Sequence, residues 1–488
     1  MLRNLLTHVS SYSLGSALAT LASFISFPLL ARHFSVADYG VINLISVTLL
    51  LLTSVAKAGM QNSVVRFHAE ERARRDPSGM RRYKATVVYG IVGTGLVVTA
   101  AWLPIVEIFP SGVWKDPRIP GLLALAASLV TIRSLDSALA NLLRAEQRSV
   151  VYGIYQVIKR YLGLAGIVIA LELLSGHVTA YYVSMVITEL AAAAGLAYVM
   201  FHREPIAPGD FSMTYFRRML VFGIPLAGLE LSGIVLNLGD RYVLNGMLGK
   251  EAVGIYSAAA NLCDYVEAMF IFSLGQALQP IYVRTWEEKG ERETINVIAR
   301  AFHIYIIVTA LIVAGISAIG RELLLVLASA KYLPAASIVP WLMGGVLLRG
   351  SGVIFSAGLY IHKQSRRMLA ITASIAVINI LLNVALIPIL GITGSAVATL
   401  LSYLLQSAAM YRLSNRMLKV AIPWSMILRY VFVGGALYFA CIGISVGGVW
   451  ITLGVKLCVG AVVFAAACWI VDPEVRRWSR LGMGQLMA

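Results

Sequence analysis

Charged side chains inside long apolar runs are costly, and where they occur they usually face the protein interior and serve a purpose. This chain has both signs of such charge. The cations are Lys57, Arg133, Lys159, Arg160, Arg241, Arg349 and Lys456; the acids are Asp136, Glu189, Glu230, Asp264 and Glu267. An arginine offers a planar fork of N–H donors that matches phosphate oxygens, so the cations could hold a compact anion. Arg133 and Arg349 stand about 216 residues apart, at comparable places in the two halves of the chain. Two cations related in that way could frame one anionic head group. Glu189, Glu230, Asp264 and Glu267 lie deep enough in their apolar runs to carry protons in an ion-coupled cycle.

Each candidate also has a plainer reading. Arg133 and Asp136, three residues apart on one helix face, could neutralise each other. Lys159 and Arg160 could extend to the membrane surface. Asp240 and Arg241 could fix a turn between two spans. Lys57 stands near the end of a span, where substrate binding and interface anchoring fit equally. Lys456 reads as an interface anchor. Trp102, Trp286 and Trp424, at span ends, read as interfacial belt residues.

These side chains must be positioned by membrane helices. Of the 488 residues, 59% are hydrophobic and 13% charged, and the mean hydropathy is +0.80. Soluble domains are about a quarter charged. Apolar runs of roughly twenty residues recur along the chain, each long enough to cross a bilayer as a helix. The expected fold is all-α and polytopic, with about fourteen transmembrane helices. The first, Ser10 to Ala31, reads as a retained span rather than a cleaved signal, and it contains no acid.

The net charge of +16 does not call for nucleic acid, because the basic residues gather in short loops between spans. Placing both termini in the cytoplasm puts roughly 27 Lys and Arg in cytoplasmic segments, about 7 outside and about 6 within spans. The loops 66–84, 202–218, 284–300 and 412–419 are then cytoplasmic and face anionic lipids. The segment 284–300 is expected to be a surface helix. Cys263, Cys441, Cys458 and Cys468 all fall in apolar segments without disulfide or zinc spacing. The seven histidines are scattered and no Walker-type loop is present, so no cofactor, metal site or catalytic centre is expected.

Weak internal repetition organises the chain. Gly239-Asp240-Arg241-Tyr242 and the following Val253-Gly254-Ile255-Tyr256-Ser257 echo Leu29 to Arg32 and Asp38-Tyr39-Gly40-Val41-Ile42. Gly40 and Gly254 are about 214 residues apart, and Gln147 and Gln364, each in a short inter-span loop, about 217. Two six-helix units follow, with residues 1–201 and 219–413 as lobes and 202–218 as a cytoplasmic linker. Residues 414–488 add two helices and a tail.

Ala31-Arg32-His33-Phe34-Ser35-Val36-Ala37-Asp38-Tyr39-Gly40, Ser63-Val64-Val65-Arg66-Phe67, Asp240-Arg241-Tyr242 and Val253 to Ser257 resemble the polysaccharide-transporter or oligosaccharide-flippase family. That family belongs to the superfamily of multidrug, oligosaccharidyl-lipid and polysaccharide exporters. The resemblance implies two six-helix lobes around a central cavity and alternating access. The implied substrate is an undecaprenyl-diphosphate-linked oligosaccharide, moved across the bacterial inner membrane in polysaccharide, O-antigen or lipopolysaccharide synthesis. Anionic lipids and polysaccharide polymerase or assembly proteins are the implied partners. The alternative is a cation-coupled multidrug exporter of the same superfamily. Such an exporter favours an acid in the first span, and this chain has none there.

Overall fold

The structure is a computed structural model. It describes residues 21–22, 24–108, 116–173 and 176–476, with the backbone alone over 270–277. The described residues are helical almost throughout and include no strand. Twelve helices among them are long and apolar enough to cross a bilayer. Two of the expected fourteen spans are not in that set. The first begins in residues outside the description, though 24–33 are helical. The eighth passes through 270–277, whose side chains lie outside the description; there Lys250–Val266 leads into a five-residue π-helical turn, Glu267–Ile271, before the chain continues as helix.

Contacts divide the chain into two compact units, residues 1–254 and 255–488. The first holds α1 (Val36–Lys57), α2 (Met60–Arg74), α3 (Pro77–Ile108), α4 (Arg118–Ala145), α5 (Ser149–Glu172), α6 (Val178–Phe201), α7 (Met213–Leu238) and α8 (Asp240–Leu248). Ser35 caps α1 by accepting the Asp38 amide at 3.0 Å. At 1.5 Å per residue, the 22 residues of α1 extend ~33 Å, close to the hydrocarbon thickness. Ala58 and Gly59 then take left-handed conformations and start the polar α2. α4 packs against α1, α3 and α6, and α5 packs against α6.

The contact boundary falls later than the linker expected at 202–218, because α7 packs on α1, α2 and α3. Gly59 and Gly223 permit this approach. A Cβ built on Gly59 would stand 1.9 Å from the Gly223 carbonyl oxygen. Ser63 Oγ also donates to the Met219 carbonyl at 2.9 Å. The two glycines of the repeated motif make a matched contact in this unit. A Cβ on Gly40 would lie 2.0 Å from the Lys250 carbonyl oxygen, and one on Gly254 would lie 2.0 Å from that of Val36. Val36 and Gly40 precede Lys250 and Gly254 by the same interval. Contacts of this reciprocal kind arise between segments related by a two-fold axis.

The second unit holds most of α9 (Lys250–Val266), α10 (Phe272–Leu327), α11 (Val339–Phe355), α12 (Ala357–Ile361), α13 (Ser365–Leu390), α14 (Ile392–Ser414), α15 (Trp424–Ile442) and α16 (Val449–Val471). α14 packs on α11 and α13, and α15 and α16 pack on α10. Two expectations are corrected here. Residues 284–300 are not a separate surface helix: they are two helix ends meeting within α10 at Gly290, whose φ of 78° breaks the run. Lys456 is not an interface anchor. It is 4% exposed, pairs with Glu322 of α10 at 2.9 Å and donates to the Ala318 carbonyl at 3.1 Å. Packing of α16 on α10 buries both charges, which in an apolar setting require each other.

Candidate functional site

The charged residues form discrete networks rather than scattered anchors. In the first unit, Arg133 of α4 reaches Glu189 of α6. Nε donates to Oε2 at 2.9 Å and Nη2 to Oε1 at 2.8 Å, a two-pronged ion pair. Asp136, one turn further along α4, does not neutralise Arg133. It accepts from Lys159 of α5 at 2.6 Å and from the Tyr155 hydroxyl. Arg133, Asp136, Lys159 and Glu189 therefore tie α4 to both α5 and α6, with charges that balance. Arg160, beside Lys159 in sequence, is exposed.

In the second unit, Arg349 of α11 is held from two sides. Its Nη2 donates to Asp264 at 2.8 Å and its Nε to Glu267 at 2.9 Å. Nη1 lies 3.4 Å from the Tyr403 hydroxyl of α14, and the guanidinium carbon is 5.7 Å from that ring's centre. Glu267 opens the π-helical turn. Such turns widen a helix by one residue and are frequent at functional sites. One cation here meets two carboxylates, so the cluster carries a surplus negative charge. The side chains of Arg133 and Arg349 are each 25% exposed.

The remaining candidates divide. Lys57, at the end of α1, pairs with Glu230 of α7 at 3.0 Å, and Gln61 donates to the same carboxylate at 2.5 Å. Arg241 and Asp240 are almost fully buried and bonded to each other at 3.0 Å. Arg241 also donates to the Asn237 carbonyl at 3.1 Å. That arrangement fixes the α7–α8 junction and keeps the guanidinium from any ligand. Glu189, Glu230, Asp264 and Glu267 are thus all ion-paired acids. Sequence reasoning missed Tyr155, Gln61 and Tyr403 as partners. One signal was available: Glu189 and Tyr403 are 214 residues apart, the interval between Gly40 and Gly254. Each faces the arginine of its own half.

With this geometry in view, residues 5–286 match the family described as "Polysaccharide biosynthesis protein". The chain belongs to that family. The match covers more than half of its length. A curated relative, an uncharacterized membrane protein of Methanocaldococcus jannaschii, is 28% identical over 198 residues. That stretch is 40% of this chain, and the chain spans only 38% of the relative's length. Among solved structures, the lipid II flippase MurJ in an inward closed conformation superposes with a TM-score of 0.78 at 12% identity. It covers 95% of this chain and 99% of that one. An inward-facing multidrug resistance MATE family transporter of the MOP superfamily gives 0.71 at 16% identity, covering 82% and 94%. A MOP superfamily transporter from Pyrococcus furiosus gives 0.55 at 14%, covering 84% and 92%. At such identities the likeness is one of fold. This family member is a multi-pass helical membrane protein with the fold that those transporters share.

Proposed function

We propose that the protein is a flippase for a lipid-linked oligosaccharide, and that Arg133 and Arg349 act on the anionic part of that substrate. The finer reading is an undecaprenyl-diphosphate-linked polysaccharide repeat unit, carried across the bacterial inner membrane by alternating access. One observation carries it. Arginines at matching places in the two halves are each clamped by carboxylates yet partly exposed. A phosphate oxygen offers the same acceptor geometry as a carboxylate, so substrate can replace the clamp.

That replacement has a charge consequence. A diphosphate entering beside Asp264 and Glu267 meets two like charges, which repel it unless they take up protons. Binding of the anion and uptake of protons by the displaced carboxylates therefore go together. This supplies a route for proton coupling through Glu189, Asp264 and Glu267, with Lys57 and Glu230 as a further exchangeable pair. Lys159 holds Asp136 rather than Arg133, and Arg241 takes no part.

The surplus acid at Arg349 also favours the second reading, a cation-coupled exporter of organic cations. Deletion in the host separates the two. Mass spectrometry should find one lipid-linked glycan accumulating on the cytoplasmic leaflet. Unchanged glycan lipids together with loss of resistance to cationic drugs would replace the flippase reading with the exporter. Both termini are placed in the cytoplasm in this proposal. A cysteine at position 78 or 290 should then resist impermeant labelling from outside intact cells.

A further inference from the structure

Away from these networks, a cavity of about 970 Å³ lies between α2 and α7. Arg66, Arg217 and Arg218 line it with a single carboxylate, Glu70. Glu70 is taken by Arg218, whose Nη2 donates to it at 2.9 and 3.2 Å. Arg66 stacks on the Phe222 ring at 4.6 Å, and Arg218 on Phe67 at 5.0 Å. A stacked guanidinium spends its face on the ring and keeps its N–H edge for an acceptor. Among the described residues, neither Arg66 nor Arg217 has an acidic partner within ion-pair distance. The cavity therefore keeps a surplus of positive charge and unused donors.

Its level and its rim narrow the ligand. α1 already has the length of the hydrocarbon layer, and Arg66 follows its end by about two helical turns. Arg217 falls in the first turns of α7. The cavity thus sits at a membrane surface. Met213, Val221 and Ile224 are exposed, and with Arg217 they are spaced to share one face of α7. A site for a soluble anion has no use for that apolar stripe, whereas a lipid needs both the charge and the stripe.

We infer that this cavity binds the phosphate headgroup of an acidic membrane phospholipid, with an acyl chain along the Met213–Ile224 face of α7. The site is separate from the Arg133 and Arg349 networks, and the inference does not depend on what the protein transports.

The test uses purified full-length protein in native mass spectrometry, with phosphatidylglycerol and phosphatidylcholine supplied in equal amounts. Wild type should retain phosphatidylglycerol in preference. R66Q/R217Q leaves the Arg218–Glu70 pair in place and should weaken that retention about thirty-fold, while the unfolding temperature in neutral lipid falls only by the small amount that loss of the Arg66–Phe222 stack accounts for. E70Q, which removes the lone carboxylate, should strengthen it. Equal retention of the two lipids, or a double variant that binds as wild type does, would overturn the inference. So would displacement of the lipid by equimolar inorganic phosphate, which would mark a soluble-anion site. Selective retention of undecaprenyl phosphate over phosphatidylglycerol would also overturn it, by assigning the cavity to a lipid carrier.

Discussion

Arg349→Ala leaves Asp264 and Glu267 side by side with no cation between them. Removing one partner of a fully buried ion pair costs ~3–5 kcal/mol, whereas an exposed pair is worth ~1 kcal/mol or less. Arg349 is a quarter exposed and Asp264 43% exposed, but Glu267 only 16%. An intermediate cost of ~2–3 kcal/mol follows for the two pairs together. Arg349→Ala should therefore lower the unfolding temperature of the purified protein by several degrees and abolish most flux in proteoliposomes. These losses have different origins, and R349A/D264N/E267Q separates them. Neutral amides no longer need a cation, so the triple variant should regain stability. It should not regain transport, because the phosphate ligand and two of the proton-carrying acids are both gone. Arg349→Lys keeps the charge without the fork and should keep partial flux. If the triple variant transported at the wild-type rate, Arg349 would be a structural clamp and not a substrate ligand. If Arg349→Ala unfolded at the wild-type temperature, the ion pairs would not be holding α9 and the π-helical turn to α11.

Three further outcomes are expected. Gly254→Ala places a Cβ 2.0 Å from a backbone oxygen that no rotamer change can move aside, so destabilisation of at least ~1–3 kcal/mol should appear in thermal unfolding. Lys456→Met alone should cost ~3–5 kcal/mol by orphaning Glu322, while Lys456→Met with Glu322→Leu should recover most of that in the same assay. Asp116 is held well below the usual carboxylate range by its hydrogen bond from Arg118, with Lys250 adding to the effect against the opposing cost of burial. A depressed folded-state value means that its contribution is fully present above the unfolded value of 3.8 and is lost as pH falls below it. Melting curves recorded from pH 6 down to about 3 should show an acid-side loss that Asp116→Asn removes.

The all-α, many-span fold class and the identity of the charged residues follow from the chain alone. Bilayer thickness fixes the length of an apolar run, and lipid leaves its backbone no partner but itself, so hydropathy reads out as helices with little dependence on context. The 214-residue interval was legible for the same reason: Gly40 and Gly254 carry a steric requirement that any close helix contact imposes. Pairing was not legible. Arg133 and Asp136 share a helix face, yet their partners come from α6 and α5, because the rotation of each helix about its axis is set by packing against neighbours remote in sequence. Lys456 shows the same limit: near a span end it reads as an anchor, and only the placement of α16 on α10 brings Glu322 to it. The left-handed break at Ala58 and Gly59, the Gly290 kink and the π-turn at Glu267 were likewise decided in three dimensions. Hydropathy records what a helix is made of, whereas the tertiary structure decides which way each residue faces and so which charges meet.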